Sequence, residues 1–302
     1  MQSADGLRSF ARGSLQSALS RGPGYEPQPP GVFFETETVR GYFIDFRAKT
    51  QAASEAEPWS LEPAGLAQLG LGWWERHLAG EPEALGTFLG TCELLERRGV
   101  GRGRELLWEY DVPVPKYGLV PPWCSGLAQA QAASTFVRAH LASGEDRFAE
   151  LAVRAIAPIL PGSPSGLLVR TSHGPVPEEA PSGQPSLILN GWIYALWGLW
   201  DVAVGLGSEG CRSLFEESTM CLREMIARYD IGWWSRYSLY PHRLPDLAKP
   251  FYHRLHIDQL DVMARLVAAG DLGETARRWA AYETAPRRVA AIAQKALFVA
   301  LR

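Results

Sequence analysis

Three stretches of this 302-residue chain hold side chains able to do chemistry. In the first, Trp233-Trp234-Ser235-Arg236-Tyr237-Ser238-Leu239-Tyr240 precedes Tyr252-His253-Arg254-Leu255-His256-Ile257-Asp258-Gln259-Leu260. A helix starting near Tyr252 puts Tyr252, His256 and Gln259 at i, i+4 and i+7, one polar face flanked by Leu255, Ile257, Leu260 and Met263. A phenol beside an imidazole can move a proton, although a core histidine satisfied by one hydrogen bond produces the same spacing. His253 and His256 form His-x-x-His, but HExxH is absent and no third ligand is marked, so no metal is expected.

The second stretch runs Arg170-Thr-Ser-His-Gly-Pro-Val-Pro-Glu178-Glu179-Ala180-Pro-Ser-Gly-Gln-Pro185. Its two glutamates are solvated by default, yet a carboxylate on a loop at the mouth of a cleft could take a proton from substrate. Asn190, four residues into the apolar run that follows, needs a partner, either a neighbouring loop or a ligand. The third stretch, Trp108 to Trp123, is stiffened by prolines at 113, 115, 121 and 122. Tyr117 and Trp123 there could form a stacking wall or plug a tight loop.

Helices must carry these residues. Apolar residues recur at three and four spacing over Gly65–Ala79, Pro82–Arg97, Ser125–Leu141, Phe148–Ile159, Ser186–Val202, Cys211–Tyr229, Arg254–Ala269, Thr275–Tyr282 and Pro286–Leu301. Ser186–Val202 is apolar almost all round, as a helix packed on both sides must be, with Trp192, Trp197 and Trp200 expected in the core. Strand signals are few: Val32–Glu35, Gly41–Phe46 and Leu167–Ser172. The expected fold is mainly α, an (α/α) toroid of helical hairpins with a few short strands. Residues 1–30 read as a loose arm and 31–302 as one domain.

Composition narrows the function. A net charge of −3 gives no global attraction to nucleic acid or anionic membrane. No phosphate-binding glycine loop, nucleophile elbow or nucleic-acid module is present. No run is long enough to span a membrane, and the N-terminus lacks signal-peptide character, so a cytoplasmic location is expected. Four cysteines without CxxC spacing also suit a reducing compartment. The 11 Trp, 10 Tyr and 11 Phe suit a cleft for a flat-faced ligand such as carbohydrate.

Several runs, in order over roughly 105–282, resemble the C-terminal domain of the D-glucuronyl C5-epimerases. They are Trp123-Cys-Ser-Gly-Leu-Ala-Gln-Ala-Gln-Ala-Ala-Ser134, Glu178-Glu179-Ala-Pro, Ser186-Leu-Ile-Leu-Asn-Gly-Trp-Ile-Tyr-Ala-Leu-Trp-Gly-Leu-Trp-Asp201, Tyr229-Asp230, Tyr237-Ser-Leu and Tyr252-His-x-x-His-Ile-x-Gln-Leu260. Gly41-Tyr-Phe-Ile-Asp45 is similar to the family's opening segment. The resemblance implies a toroid and a short, bacterial-type homologue that epimerises a uronic acid at C5 without a cofactor. It also implies catalytic roles for Tyr252, Tyr237 and Glu179. Proton removal α to a carboxylate and its return to the opposite face need two acid/base groups. A tyrosine acting as base needs a cationic or hydrogen-bonding neighbour, for which His256 and Arg254 are candidates.

Substrate-binding candidates are Tyr117, Trp123, Gln129, Asn190, Tyr240, His256, Gln259 and Arg170. The expected partner is a uronate-containing saccharide or another carbon acid, and the reading is compatible with a homodimer. Two positions depart from the family: Ala180 stands where it has a tyrosine, and Tyr240 where it has an arginine suited to clamp the substrate carboxylate. A uronate lyase, an epimerase of a modified peptide and a non-catalytic carbohydrate-binding protein are the alternatives.

Overall fold

The computed structural model describes residues 30–53 and 61–301, so the arm expected at 1–30 lies outside them apart from Pro30. The helices are α1 (Arg47–Ala53), α2 (Pro63–Leu78), α3 (Ala84–Arg98), α4 (Gly126–Ser143), α5 (Asp146–Ile156), α6 (Leu189–Gly205), α7 (Glu209–Met225), α8 (Pro250–Leu266), α9 (Gly270–Ala280) and α10 (Ala285–Ala300). Their ends follow local chemistry. Proline opens α2, α8 and α10 at a position with no N–H to satisfy. Ser125 caps α4 by accepting from Ala128 N, and Gly144, at φ 72°, ends that helix in the left-handed region.

Consecutive helices pair as hairpins α2/α3, α4/α5, α6/α7 and α8/α9. The first member of each pair forms an inner layer, in which α2 packs on α4, α4 on α6 and α6 on α8. The result is the (α/α) toroid. Inner α6 buries Trp192 and Trp197 completely, while Trp200 packs partly buried against Phe215. Outer α5 is amphipathic and buries Phe148, Leu151, Ala152 and Ala155 on one face. Small residues set the closeness of α4 and α6: a Cβ on Gly198 would sit 2.6 Å from the Ala130 carbonyl oxygen.

The strands form three two-stranded antiparallel pairs: β1 (Val100–Arg102) with β2 (Glu105–Leu107), β3 (Glu109–Tyr110) with β4 (Trp123–Cys124), and β5 (Leu168–Thr171) with β6 (Gly174–Pro177). Only β5 matches an expected strand. Val32–Glu35 forms a turn instead, and Gly41–Phe46 is irregular apart from the single bridge of Ile44 to Pro30. Tyr42, Phe43, Ile44 and Phe46 are all buried, so their run reflects packing on both sides rather than a strand. Besides the backbone bonds Gly41 N to Phe33 O and Gly31 N to Phe43 O, both at 3.0 Å, side chains satisfy this run. Arg138 Nη2 donates to Gly41 O at 3.1 Å, Trp74 Nε1 donates to Arg40 O at 2.6 Å, and Tyr42 N donates to Glu75. The segment therefore leads rigidly into α1, which packs on α2.

Candidate active site

A cavity lies where the inner helices converge. The N-terminal segment and α1 supply Asp45, Phe46 and Lys49, with Glu62 and Gln68 at α2. Tyr110 and Trp123 come from the β3/β4 pair, Glu179 from the loop after β6, Asn190 and Tyr194 from α6, and Phe251, Tyr252 and Leu255 from α8. Tyr110 and Trp123 stack at 4.5 Å and 13°, and the Trp123 indole N–H is held by Val112 O at 2.8 Å. This is a rigid aromatic wall.

Glu178 and Glu179 are not solvated, because their loop is drawn inward. Gly126 N donates to Glu178 O at 2.8 Å, and a Cβ on Gly126 would meet that oxygen at 2.5 Å. The Glu178 carboxylate is buried and satisfied: it accepts from Ser186 N at 2.7 Å, Ser186 Oγ at 2.5 Å and Leu187 N at 3.0 Å. Glu179 turns the other way, into the cavity. Its contacts are long, with Tyr237 Oη and Asn190 Nδ2 each donating at 3.4 Å. Burial pushes its carboxyl up to about 7, against the downward pull of the Lys116 ammonium. A carboxylate so poised exchanges protons near neutrality.

The Tyr237 ring packs edge-on to Tyr252 at 4.8 Å. Burial, reinforced by Glu179, holds the Tyr237 phenol well above its usual range, so it is a neutral donor at pH 7. The cations beside it are lysines. Lys116 Nζ lies 4.5 Å from the Tyr237 ring centre and 4.6 Å from that of Tyr117, with Lys295 Nζ 5.4 Å from Tyr237. Both lysines pair with fully buried Asp246, Lys116 at 3.6 Å.

The cationic neighbours expected for Tyr252 are elsewhere. Arg254 pairs with Glu283. His256 is fully buried and held well below its usual range by burial, hence neutral. Its Nδ1, like that of His253, faces Ser235 Oγ, at 3.2 and 2.8 Å, which accounts for the His-x-x-His pair as a core hydrogen-bond set. The helix begins at Pro250, and the residues of α8 that reach the cavity are Phe251, Tyr252 and Leu255 rather than the Tyr252/His256/Gln259 face. Gln259 stands behind the site, donating to Asn190 O at 3.1 Å.

Glu179, Tyr252, Trp123 and Asn190 thus line the cavity, and Tyr237 bonds the first of them. Gln129 does not line it. That side chain is fully buried among backbone partners, donating to Leu106 O and Ala155 O and accepting from Trp108 N. Tyr117 is buried behind Tyr237 with Leu119, Ala180, Ile188 and Ala248. Tyr240 packs edge-on to Tyr117 at 5.3 Å, and Arg170 is exposed on β5. Sequence reasoning placed Asp45 only in the opening segment and missed Lys49, Glu62, Gln68 and Lys116. One signal could have found the lysines: the chain has 26 arginines and only four lysines, at 49, 116, 249 and 295. None of the four is exposed.

Comparison with known proteins bears on the family and the fold. The sequence model of the D-glucuronyl C5-epimerase C-terminus matches residues 102–281. An uncharacterized protein of Methanocaldococcus jannaschii is 26% identical over 241 residues, covering 77% of this chain and 70% of that one. A Caenorhabditis elegans D-glucuronyl C5-epimerase is 27% identical over 190 residues, 58% of this chain but only 31% of the worm protein. Among solved structures, cellobiose 2-epimerase from Spirochaeta thermophila superposes with a TM-score of 0.53 at 14% identity, over 92% of this chain and 85% of that one. That likeness is one of fold. Among the described residues no helix is long and apolar enough to cross a membrane.

Proposed function

Since the chain belongs to the D-glucuronyl C5-epimerase C-terminus family, we propose that it is a sugar epimerase that inverts C5 of a uronic acid residue by acid–base proton transfer. The observation that carries the reading is Glu179, a cavity carboxylate with two long hydrogen bonds and a pKa raised to about 7 by burial. In the ionised form it accepts the C5 proton as the C5–H bond breaks, and the electron pair spreads into the sugar carboxylate as an enediolate. Tyr252 then delivers its phenolic proton to the opposite face, and both groups re-equilibrate with solvent. Tyr237 holds Glu179 in place, and Lys116, over the Tyr237 ring, pulls the carboxyl back down against the push of burial. Trp123 and Tyr110 give the sugar ring an apolar face to stack on.

The chain spans less than a third of the worm enzyme, so the length and sulfation of any polymer substrate are not carried over. The test is incubation with a glucuronate–glucosamine oligosaccharide followed by proton NMR. Iduronate signals are expected. An unsaturated, ultraviolet-absorbing product in their place would make the protein a lyase and overturn the assignment.

A further inference from the structure

We propose that Lys49 binds the carboxylate of the sugar in this cavity, a role that rests on the acid–base reading above and supplies what that reading lacks. Developing enediolate charge needs a cation beside the carboxylate. Position 240, where the family carries an arginine, is Tyr240 here, packed edge-on to Tyr117 away from the cavity lining. Among the described residues that line the cavity the acids are Asp45, Glu62 and Glu179, and the one basic residue is Lys49. Asp45 is paired with Arg47, so an anionic sugar meets Glu62 and Glu179, and Lys49 is the lining charge that can offset them.

The placement of Lys49 is fixed from both sides. Asp45 accepts from Arg47 N at 2.8 Å and from the Arg47 guanidinium at 2.7–3.1 Å, so Asp45 is neutralised and Arg47 is turned onto it. Thr50 Oγ1 donates to Arg47 O at 2.7 Å and accepts from Arg76 Nε at 2.5 Å, fastening α1 to α2. No space remains between them, since a Cβ on Gly72 would lie 2.4 Å from Phe46 O. Lys49 is therefore presented by a braced helix, in a wall contributed by chain outside residues 102–281.

The electrostatics suit a ligand carboxylate. Lys49 is half-buried, and burial lowers its ammonium while the charge of Glu62 raises it. An ammonium has three N–H donors, so it can serve Glu62 and a second carboxylate together. Partial desolvation strengthens both pairings. The chain otherwise meets solvent with arginine, and keeps lysine at four sheltered positions. A compact point charge rather than a wide fork fits a wall already crowded by Glu62.

Calorimetry with a glucuronate–glucosamine hexasaccharide and its carboxyl-reduced counterpart tests this. The wild-type protein is expected to prefer the acid. Lys49→Met should bind the acid about tenfold or more weakly, as expected for loss of a charge-assisted hydrogen bond, and the reduced sugar within about twofold of wild type. Lys49→Gln provides a second uncharged variant, and equal unfolding temperatures show that α1 is intact. No preference in the wild type, an unchanged preference in the variants, or an equal loss for both sugars would overturn the assignment. Deuterium exchange at C5 separates it from the reaction: a Lys49-dependent preference without exchange upholds the clamp and removes the epimerase, and exchange with preference intact in Lys49→Met does the reverse.

Discussion

At the C-terminal end of α6, Asp201 accepts from Arg138 Nη1 at 2.6 Å and Nη2 at 3.2 Å, and Arg138 also donates to Ser134 O and Gly41 O. At the N-terminal end of the same helix, Asn190 meets Glu179 at 3.4 Å and its Oδ1 has no partner among the described residues. Both ends bury charge. One is held by a short two-pronged ion pair that ties α4, α6 and the N-terminal segment together, with Arg138 Nε left over. The other is left short of hydrogen bonds and faces a cavity. Buried polar groups are expensive unless paired, so short charged contacts mark a joint of the fold, and long contacts that face a cavity mark a place for a ligand.

The strongest way to break this comparison is at Glu179. Glu179→Gln keeps the shape but removes the base, and should lower kcat by about 10³-fold or more with little change in unfolding temperature. The mirror image is Arg138→Met, which strands a buried Asp201 and should cost about 3–5 kcal/mol in denaturant unfolding. Arg138→Met with Asp201→Asn should recover part of that loss. Tyr252→Phe, which leaves the ring packing against Tyr237, is expected to lower kcat about 10²-fold while substrate affinity stays within a few-fold. A weaker perturbation is pH. Glu179 acts ionised, so kcat/KM should rise with pH through about 7 and flatten above it. Because Lys116 pulls that carboxyl down, Lys116→Met should move the rising limb to higher pH. A limb that stays put would separate Lys116 from the site.

The sequence made the helices legible because three-and-four spacing survives wherever a helix has one wet face, as in α5, and because α6 is apolar all round. Trp192 and Trp197 could be placed in the core on that ground. The Gly41–Phe46 run misled, since a segment held by Trp74, Glu75 and Arg138 side chains carries the same dense aromatics as a strand. Glu178 and Glu179 are adjacent and chemically identical, and only the partners contributed by Ser186 and Leu187 distinguish the structural carboxylate from the one that lines the cavity. His256 shows the converse. Helical spacing aligned it with Tyr252, but α8 is packed so that its imidazole faces Ser235 and Trp279. Lys49 and Glu62 lie outside the matched segment and reach the cavity only through tertiary packing of α1 on α2.

The central claim is that Glu179 moves a proton at a carbon next to a carboxylate. Its most direct test is incubation of the protein with a glucuronate–glucosamine hexasaccharide in deuterium oxide, reading deuterium at C5 by NMR for wild type and Glu179→Gln. The account predicts C5 deuterium with the wild-type protein and a loss of about 10³-fold in the exchange rate with the variant. An absence of deuterium at C5, or exchange at the same rate in both proteins, would contradict it.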